Sequence, residues 1–181
     1  MEYQELIKAC KKNSYKAQME VYHLCKDMLY GTSLRIVKNT HDAQDIVHDA
    51  FIKGFQGIQK LEEDANLKAW LKRITINCSL DFLRSKKKVS WLEDNGALYQ
   101  DEIHTEDEEL LETQQLSVAL VKKAIDGLKD KYRVIVVLYL IENYSHKEIA
   151  EILHLNESTV RNQYKRGKDQ LKKQLQNKIV L

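Results

Sequence analysis

Apolar residues in the first half of the chain recur three and four positions apart, in three separate stretches. Val21, Leu24, Cys25, Met28 and Leu29 make one helical stripe; Val47, Ala50, Phe51, Gly54, Phe55 and Ile58 make a second; Leu67, Trp70, Leu71, Ile74, Cys78 and Phe82 make a third. A shorter helix over residues 3–12 precedes them. Helices with one apolar face bury those faces against one another, so residues 1–88 are expected to form a small helical bundle.

The last third of the chain reads as a second compact helical unit, residues 116–181. Its one ambiguity is VIVVLYLI, residues 134–141, whose β-branched side chains favour a strand by propensity. A lone strand among helices would leave its backbone groups unpaired, which predicts a buried helix instead. SHKE, residues 145–148, places a Ser three positions before a Glu, the capping-box spacing that starts a helix. Ile149, Ile152 and Leu153 then give two to three turns, His154 and Leu155 make a turn, and Asn156 caps the next helix. That last helix has its own stripe of Val160, Tyr164, Gly167, Leu171 and Leu175. Helix, short turn, basic helix is the helix-turn-helix pattern.

Composition supports an all-α fold of two small helical domains, because the 181 residues contain no proline and only six glycines. The net charge of +2 hides three blocks. Residues 1–92 hold 16 basic and 11 acidic side chains, residues 93–116 hold none and 9, and residues 117–181 hold 13 and 7. Residues 89–115 lose the helical periodicity and carry the acidic run, as an exposed linker does. Trp91 and Leu92 interrupt that picture and are expected to pack against the end of the first domain. The two basic ends suit a polyanionic partner. Cys10, Cys25 and Cys78 are too far apart for a disulfide framework or a zinc site and read as small apolar residues. No apolar run approaches the length of a membrane span and the N-terminus lacks a signal-peptide core, so no membrane insertion is expected and the cytoplasm is the default location.

Three stretches carry candidate chemistry. In the last helix, Arg161, Asn162, Gln163 and Lys165 are placed to reach base edges and phosphates, since Arg pairs with guanine and Asn or Gln with adenine. Along residues 70–88, Lys72, Arg73, Arg84, Lys86, Lys87 and Lys88 surround Asn77 and Asp81. Asn77 among cations, with Trp70 nearby, suits single-stranded bases read by hydrogen bonds and stacking. A plain solvated face is the alternative for both helices. THDAQDIVHDAF, residues 40–51, sets His41, Asp45 and His48 on one helical face, a pattern open to a metal site, to acid-base groups of a hydrolase, or more simply to a surface that meets a protein partner. No phosphate-binding loop or nucleophile motif accompanies it.

DAQDIVHDAFIKGF (42–55) followed by LKAWLKRITINCSLDFLRSKKK (67–88) resembles region 2 of the bacterial sigma-70 family, in its small two-domain extracytoplasmic-function group. YRVIVVLYLIENYSHKEIAEILHLNESTVRNQYKRGKDQL (132–171) resembles region 4. The resemblance implies a sigma factor, a dissociable subunit that binds core RNA polymerase, brings it to promoters and helps open the DNA. By that resemblance Asp42, Asp45, His48, Asp49 and Lys53 meet the polymerase β′ clamp, with further contact to the β subunit. Leu61, Asp64, Trp70, Lys72, Arg73, Asn77, Asp81 and Arg84 capture the −10 element as a single strand, with Asn77 at the position of the base-reading asparagine. Ser158, Thr159, Arg161, Asn162, Gln163, Lys165, Arg166 and Lys168 enter the major groove of the −35 element. An anti-sigma factor is the implied inhibitory partner, and no catalytic residue, cofactor or metal is implied.

The chain departs from the family at several positions. His48 and Asp49 stand where Gln and Glu are usual, Lys129 where a helix commonly opens with proline, and Asn162 and Gln163 where small and basic residues are common. Two DNA elements about two helical turns apart are separated by about 70 Å, and a 27-residue linker reaches at most about 90 Å. The competing reading at this point is a helix-turn-helix regulator that binds duplex DNA unaided, with the N-terminal bundle serving dimerisation or sensing.

Overall fold

A computed structural model describes residues 3–87 and 118–179. The acidic linker, its flanking domain boundaries, Trp91 and Leu92 lie outside the described residues. The described chain is helical: α1 Tyr3–Lys11, α2 Tyr15–Val37, α3 Thr40–Gly57 with a 3₁₀ turn over Ile58–Lys60, α4 Leu67–Lys87, α5 Val118–Asp126, α6 Asp130–Val136, α7 His146–Leu153 and α8 Glu157–Ile179. No strand occurs among the described residues.

Side chains fix where these helices begin. Ser14 accepts from the Ala17 amide at the start of α2, and Asn39 from the Asp42 amide at the start of α3. Asn66 accepts from the Ala69 amide at the start of α4. Ser145 and Glu148 form the full reciprocal capping box of α7. A chain poor in glycine and without proline must end its helices by other means. It does so with left-handed residues at Asn13, Lys38, Asn143 and His154, φ between 56° and 63°. Asn and His tolerate that region better than most side chains, and a single left-handed residue satisfies the last carbonyls of a helix.

Residues 134–141 are helical and Val134 to Leu138 are buried. The helix widens over Val137–Ile141 into a π-turn. There the Glu142 amide reaches the Val137 carbonyl, five residues back, and the Tyr144 amide reaches Leu138. The β-branched run is accommodated as a helix buried through Leu138, beyond which Leu140 is exposed.

In α2 the buried line runs through Val21, Cys25 and Leu29 and continues through Thr32, Ser33 and Ile36. Leu24, 47% exposed, lies on the flank of that line and faces solvent, contrary to the stripe expected for it. The α3 stripe is buried as expected, and Gly54 lets α4 come close, since a Cβ there would sit 2.7 Å from Leu71 Cδ2. One core joins α1 to α4 through Leu6, Ile7, Val21, Leu29, Phe51 and Leu71. The three cysteines are buried, and burial pushes their thiols up.

The second core is not confined to the C-terminal unit. It centres on Leu128, Tyr132, Ile135 and Leu138 of the α5–α6 segment and takes in Ile36 of α2 and Ile76, Leu80 and Leu83 of α4. The helix α4 therefore has two buried faces, one toward α2 and α3 and one in the core shared with the C-terminal half. Only the first was visible as a stripe. In the described residues the two halves are packed together.

Candidate nucleic-acid interface

The helix-turn-helix assembles from local signals. The capping box starts α7, the left-handed His154 ends it, and the Leu155 amide closes the turn on the Ala150 carbonyl at 2.9 Å. Then α8 begins at Glu157, where the Val160 amide donates to the Asn156 carbonyl. Val160 and Leu171 are buried, and α8 crosses α6 at Gly167, where a Cβ would lie 2.9 Å from Val136 Cγ2 and 3.3 Å from Tyr132 Cβ.

That packing decides which α8 residues point outward. Ser158, Arg161, Asn162 and Lys165 are exposed, while Thr159, Arg166 and Lys168 are half-buried. Gln163 is not among the outward set. At 4% exposure it turns inward, three residues after Val160 and four before Gly167, so it does not present its amide to a base edge as expected. Arg161 donates from Nε and Nη2 to the same Glu157 carboxylate oxygen, at 3.1 and 2.7 Å. Those bonds hold the Glu157 carboxyl below its usual range. Aromatic rings meet at the start of α7: His146 stacks on Tyr139 at 4.4 Å and meets Tyr164 of α8 edge-on at 5.2 Å. Burial, and then the charge of Arg161, push the His146 imidazole down.

On α4, Asn77 is exposed, and Asp81 pairs with Arg84 at 3.0 Å. Trp70 is half-buried, its ring lying against α3 where a Cβ on Gly57 would be 3.6 Å from it. Asp64 is exposed in the preceding loop. Leu61, assigned to that loop's DNA contact, is 8% exposed and sits in the N-terminal core. Its amide closes the 3₁₀ turn on Ile58, which folds the side chain back onto the bundle rather than outward.

On α3, Asp45, His48, Asp49 and Lys53 all face outward. Asp42 pairs with Lys86 of α4 at 2.9 Å, and Lys53 Nζ lies 3.5 Å from Cys78 Sγ. Among the described residues no group of three His, Cys, Asp or Glu side chains is placed to hold a metal ion, so His41, Asp45 and His48 share an exposed face and nothing closer.

Two charged residues that sequence reasoning passed over sit where the halves meet. Glu142, its side chain 3% exposed, accepts from Thr32 Oγ1 at 3.1 Å and Arg35 Nη1 at 3.1 Å, and pairs with Lys72 Nζ at 2.8 Å. Beside it the Arg73 guanidinium lies over the Tyr144 ring at 6.0 Å. Arg133 is buried and donates to Asp130 at 2.6 Å and to the Ile36 carbonyl at 2.8 Å, a cation set at the C-terminal end of α2 where the helix dipole favours it. In return Lys38 donates to the Asp126 carbonyl at the end of α5. The available signal was a lone Arg and a lone Glu bracketing the eight-residue apolar run.

Comparison with known proteins follows the same division. Residues 21–89 match the profile of Sigma-70 region 2, and residues 119–171 match that of Sigma-70, region 4. The chain is 31% identical over 179 residues to the ECF RNA polymerase sigma factor SigW of Bacillus subtilis, covering 94% of this chain and 95% of that one. It is 33% identical over 149 residues to the ECF RNA polymerase sigma factor SigE of Mycolicibacterium smegmatis, covering 81% of this chain and 56% of that one. Its fold is like that of the sigma factor RpoE bound to the anti-sigma factor NepR from Bartonella quintana, with TM-score 0.58, 22% identity and 87% and 96% coverage. It is also like CnrH in complex with the cytosolic domain of CnrY, with TM-score 0.59, 19% identity and 97% coverage of each. Two promoter-reading regions in order, on one helical chain similar to SigW along nearly its full length, establish that the protein belongs to the extracytoplasmic-function group of the sigma-70 family.

Proposed function

We propose that the protein directs core RNA polymerase to promoters by dividing the contacts between its halves as follows. Residues 1–88 bind the polymerase and the −10 element, residues 89–115 link the halves, and residues 116–181 bind the −35 element. The observation that carries the −35 assignment is the outward row of α8, where Ser158, Arg161, Asn162 and Lys165 follow a capped helix and a fixed turn, as a helix entering a major groove requires. Arg161 exchanges Glu157 for a base or phosphate on docking, and Gln163 supports α8 from within.

Asn77 and Arg84 on α4, with Asp64 before it, take the single strand of the opened −10 element; Lys72 and Arg73 contribute charge. The exposed row Asp45, His48, Asp49 and Lys53 on α3 meets the β′ clamp. An anti-sigma factor fits as a regulatory partner, since RpoE is seen in complex with the anti-sigma factor NepR, and CnrH is likewise seen in complex with the cytosolic domain of CnrY. No catalytic residue is assigned, in keeping with a family of transcription initiation factors. Among the described residues no helix is long and apolar enough to cross a membrane, and the place of action inferred is the cytoplasm, where polymerase works.

The test is run-off transcription with core RNA polymerase, with and without the protein, on a genomic promoter library, with the RNA 5′ ends sequenced. New starts that share two spaced upstream motifs are expected. No new starts with a competent core, together with tight unaided duplex binding, would move the assignment to a free-standing helix-turn-helix regulator.

A further inference from the structure

The promoter-reading surfaces of the two halves are not equally accessible, and the difference traces to Glu142. This carboxylate is almost fully withdrawn from water, yet its partners Thr32, Arg35 and Lys72 all come from the other half of the molecule. A buried carboxylate is costly unless it is paired and hydrogen-bonded, and removing its partners leaves a large penalty. Its partners are present only while the halves are together, and separating the halves returns the carboxylate to water, so what favours closure is the pairing with Arg35 and Lys72 and not a burial cost. Tyr144, two residues on, covers the next cation, Arg73. Lys72 and Arg73 belong to the row assigned to DNA, and a carboxylate offers a lysine and an arginine the same charge-assisted hydrogen bonds that a phosphate does.

We propose that Glu142 is the latch of a self-occluded state. It closes the C-terminal half over α2 and α4 and, with Tyr144, occupies cations that single-stranded DNA needs. The neighbouring contacts shape the closed state without serving as the latch. Arg133 and Lys38 bond to backbone carbonyls, which the opened protein can offer to water, whereas Glu142 confronts two cations. Release then follows from any polyanion or partner surface that competes for Arg35 and Lys72. The DNA side of this proposal rests on the reading of α4 given above, and the closure does not.

The test uses the full chain, with donor and acceptor dyes introduced at Ile52 on α3 and Lys173 on α8, both exposed. Energy transfer is compared for wild type, Glu142→Gln and Arg35→Gln, with circular dichroism confirming unchanged helicity. The second variant leaves the C-terminal half untouched, so a folding defect there does not confuse the result. The wild type is expected to populate one compact state, and both variants to raise the open population by about tenfold or more. Binding of a short random-sequence single-stranded DNA, followed by anisotropy, is expected to tighten for Glu142→Gln by a similar factor, because apparent affinity scales with the competent fraction. Unchanged energy transfer in both variants would overturn the latch and leave the α4 assignment standing. Opening without tighter DNA binding would overturn the occlusion together with the α4 assignment.

Discussion

The helices α4 and α8 both carry cations along a polar side, and the structure treats them differently. On α8 Ser158, Arg161, Asn162 and Lys165 face solvent, and Arg161 is held by a carboxylate of its own helix. On α4 the cations Lys72 and Arg73 are held by Glu142 and Tyr144, some seventy positions away in the chain. An acidic residue one turn away along a helix leaves a surface open to a partner, because exposed ion pairs exchange at little cost. A buried carboxylate from another part of the molecule closes it. Charge pattern states what a surface is able to bind; tertiary contact states whether it is free to do so.

The largest test of that contrast is the shared core. Leu80 on α4 is fully buried with residues of both halves, so Leu80→Ala should cost about 2–5 kcal/mol. Chemical denaturation read by helicity and by a reporter in each half should show both shifting together. A shift confined to one half would mean that the contact between them contributes little. The opposite case is Arg161→Ala, expected to change stability by less than about 0.5 kcal/mol. The same change should weaken upstream-element binding by the polymerase complex by about 1–3 kcal/mol, selectively at one base position. Equal weakening on every upstream sequence would instead make Arg161 a phosphate contact.

The smallest effect is a pH dependence at the start of α7, where His146 packs against Tyr164 of α8. Burial and Arg161 push the His146 pKa below its ordinary value of 6.5, so the unfolded chain binds the proton first. The stability gained from a neutral His146 is complete above that value and declines as pH falls below it. Glu148 and Glu157, held low by hydrogen bonds, lose their contributions only as pH falls below their ordinary value of 4.5, so the two windows separate. Thermal melts of His146→Phe compared with wild type between about pH 7.5 and 5 should show a flatter dependence for the variant. Parallel curves would show that the imidazole is not the titrating group.

Local features were the legible ones. The α3 stripe, the capping box at Ser145, the turn at His154 and the crossing face of α8 each depend on residues within a few positions of one another, and each appears where the spacing puts it. The misplaced residues fail for tertiary reasons. Leu24 satisfies the three-and-four spacing but falls outside the face that α3 and α4 cover. Gln163 carries a base-reading amide on a position packed inward, and Leu61 follows a 3₁₀ turn that no spacing rule reports. Ile76, Leu80 and Leu83 lie on a second face of α4 whose partner is encoded beyond the linker. Glu142 and Arg133 are ordinary charges until that partner is in place.

The π-turn over Val137–Ile141 gives the latch an unusual tolerance of chain length. A π-turn holds one residue more than an α-turn, and each residue advances a helix by about 100°. The Glu142 amide already closes on the Val137 carbonyl across that extra residue, so deleting one of the four residues between them would leave an ordinary α-turn joining the same two groups and keep Glu142 against Arg35 and Lys72. The place of Glu142 is therefore held by its backbone bond to Val137 rather than by the count of residues between them, and closure in this protein survives the loss of a single codon in that stretch.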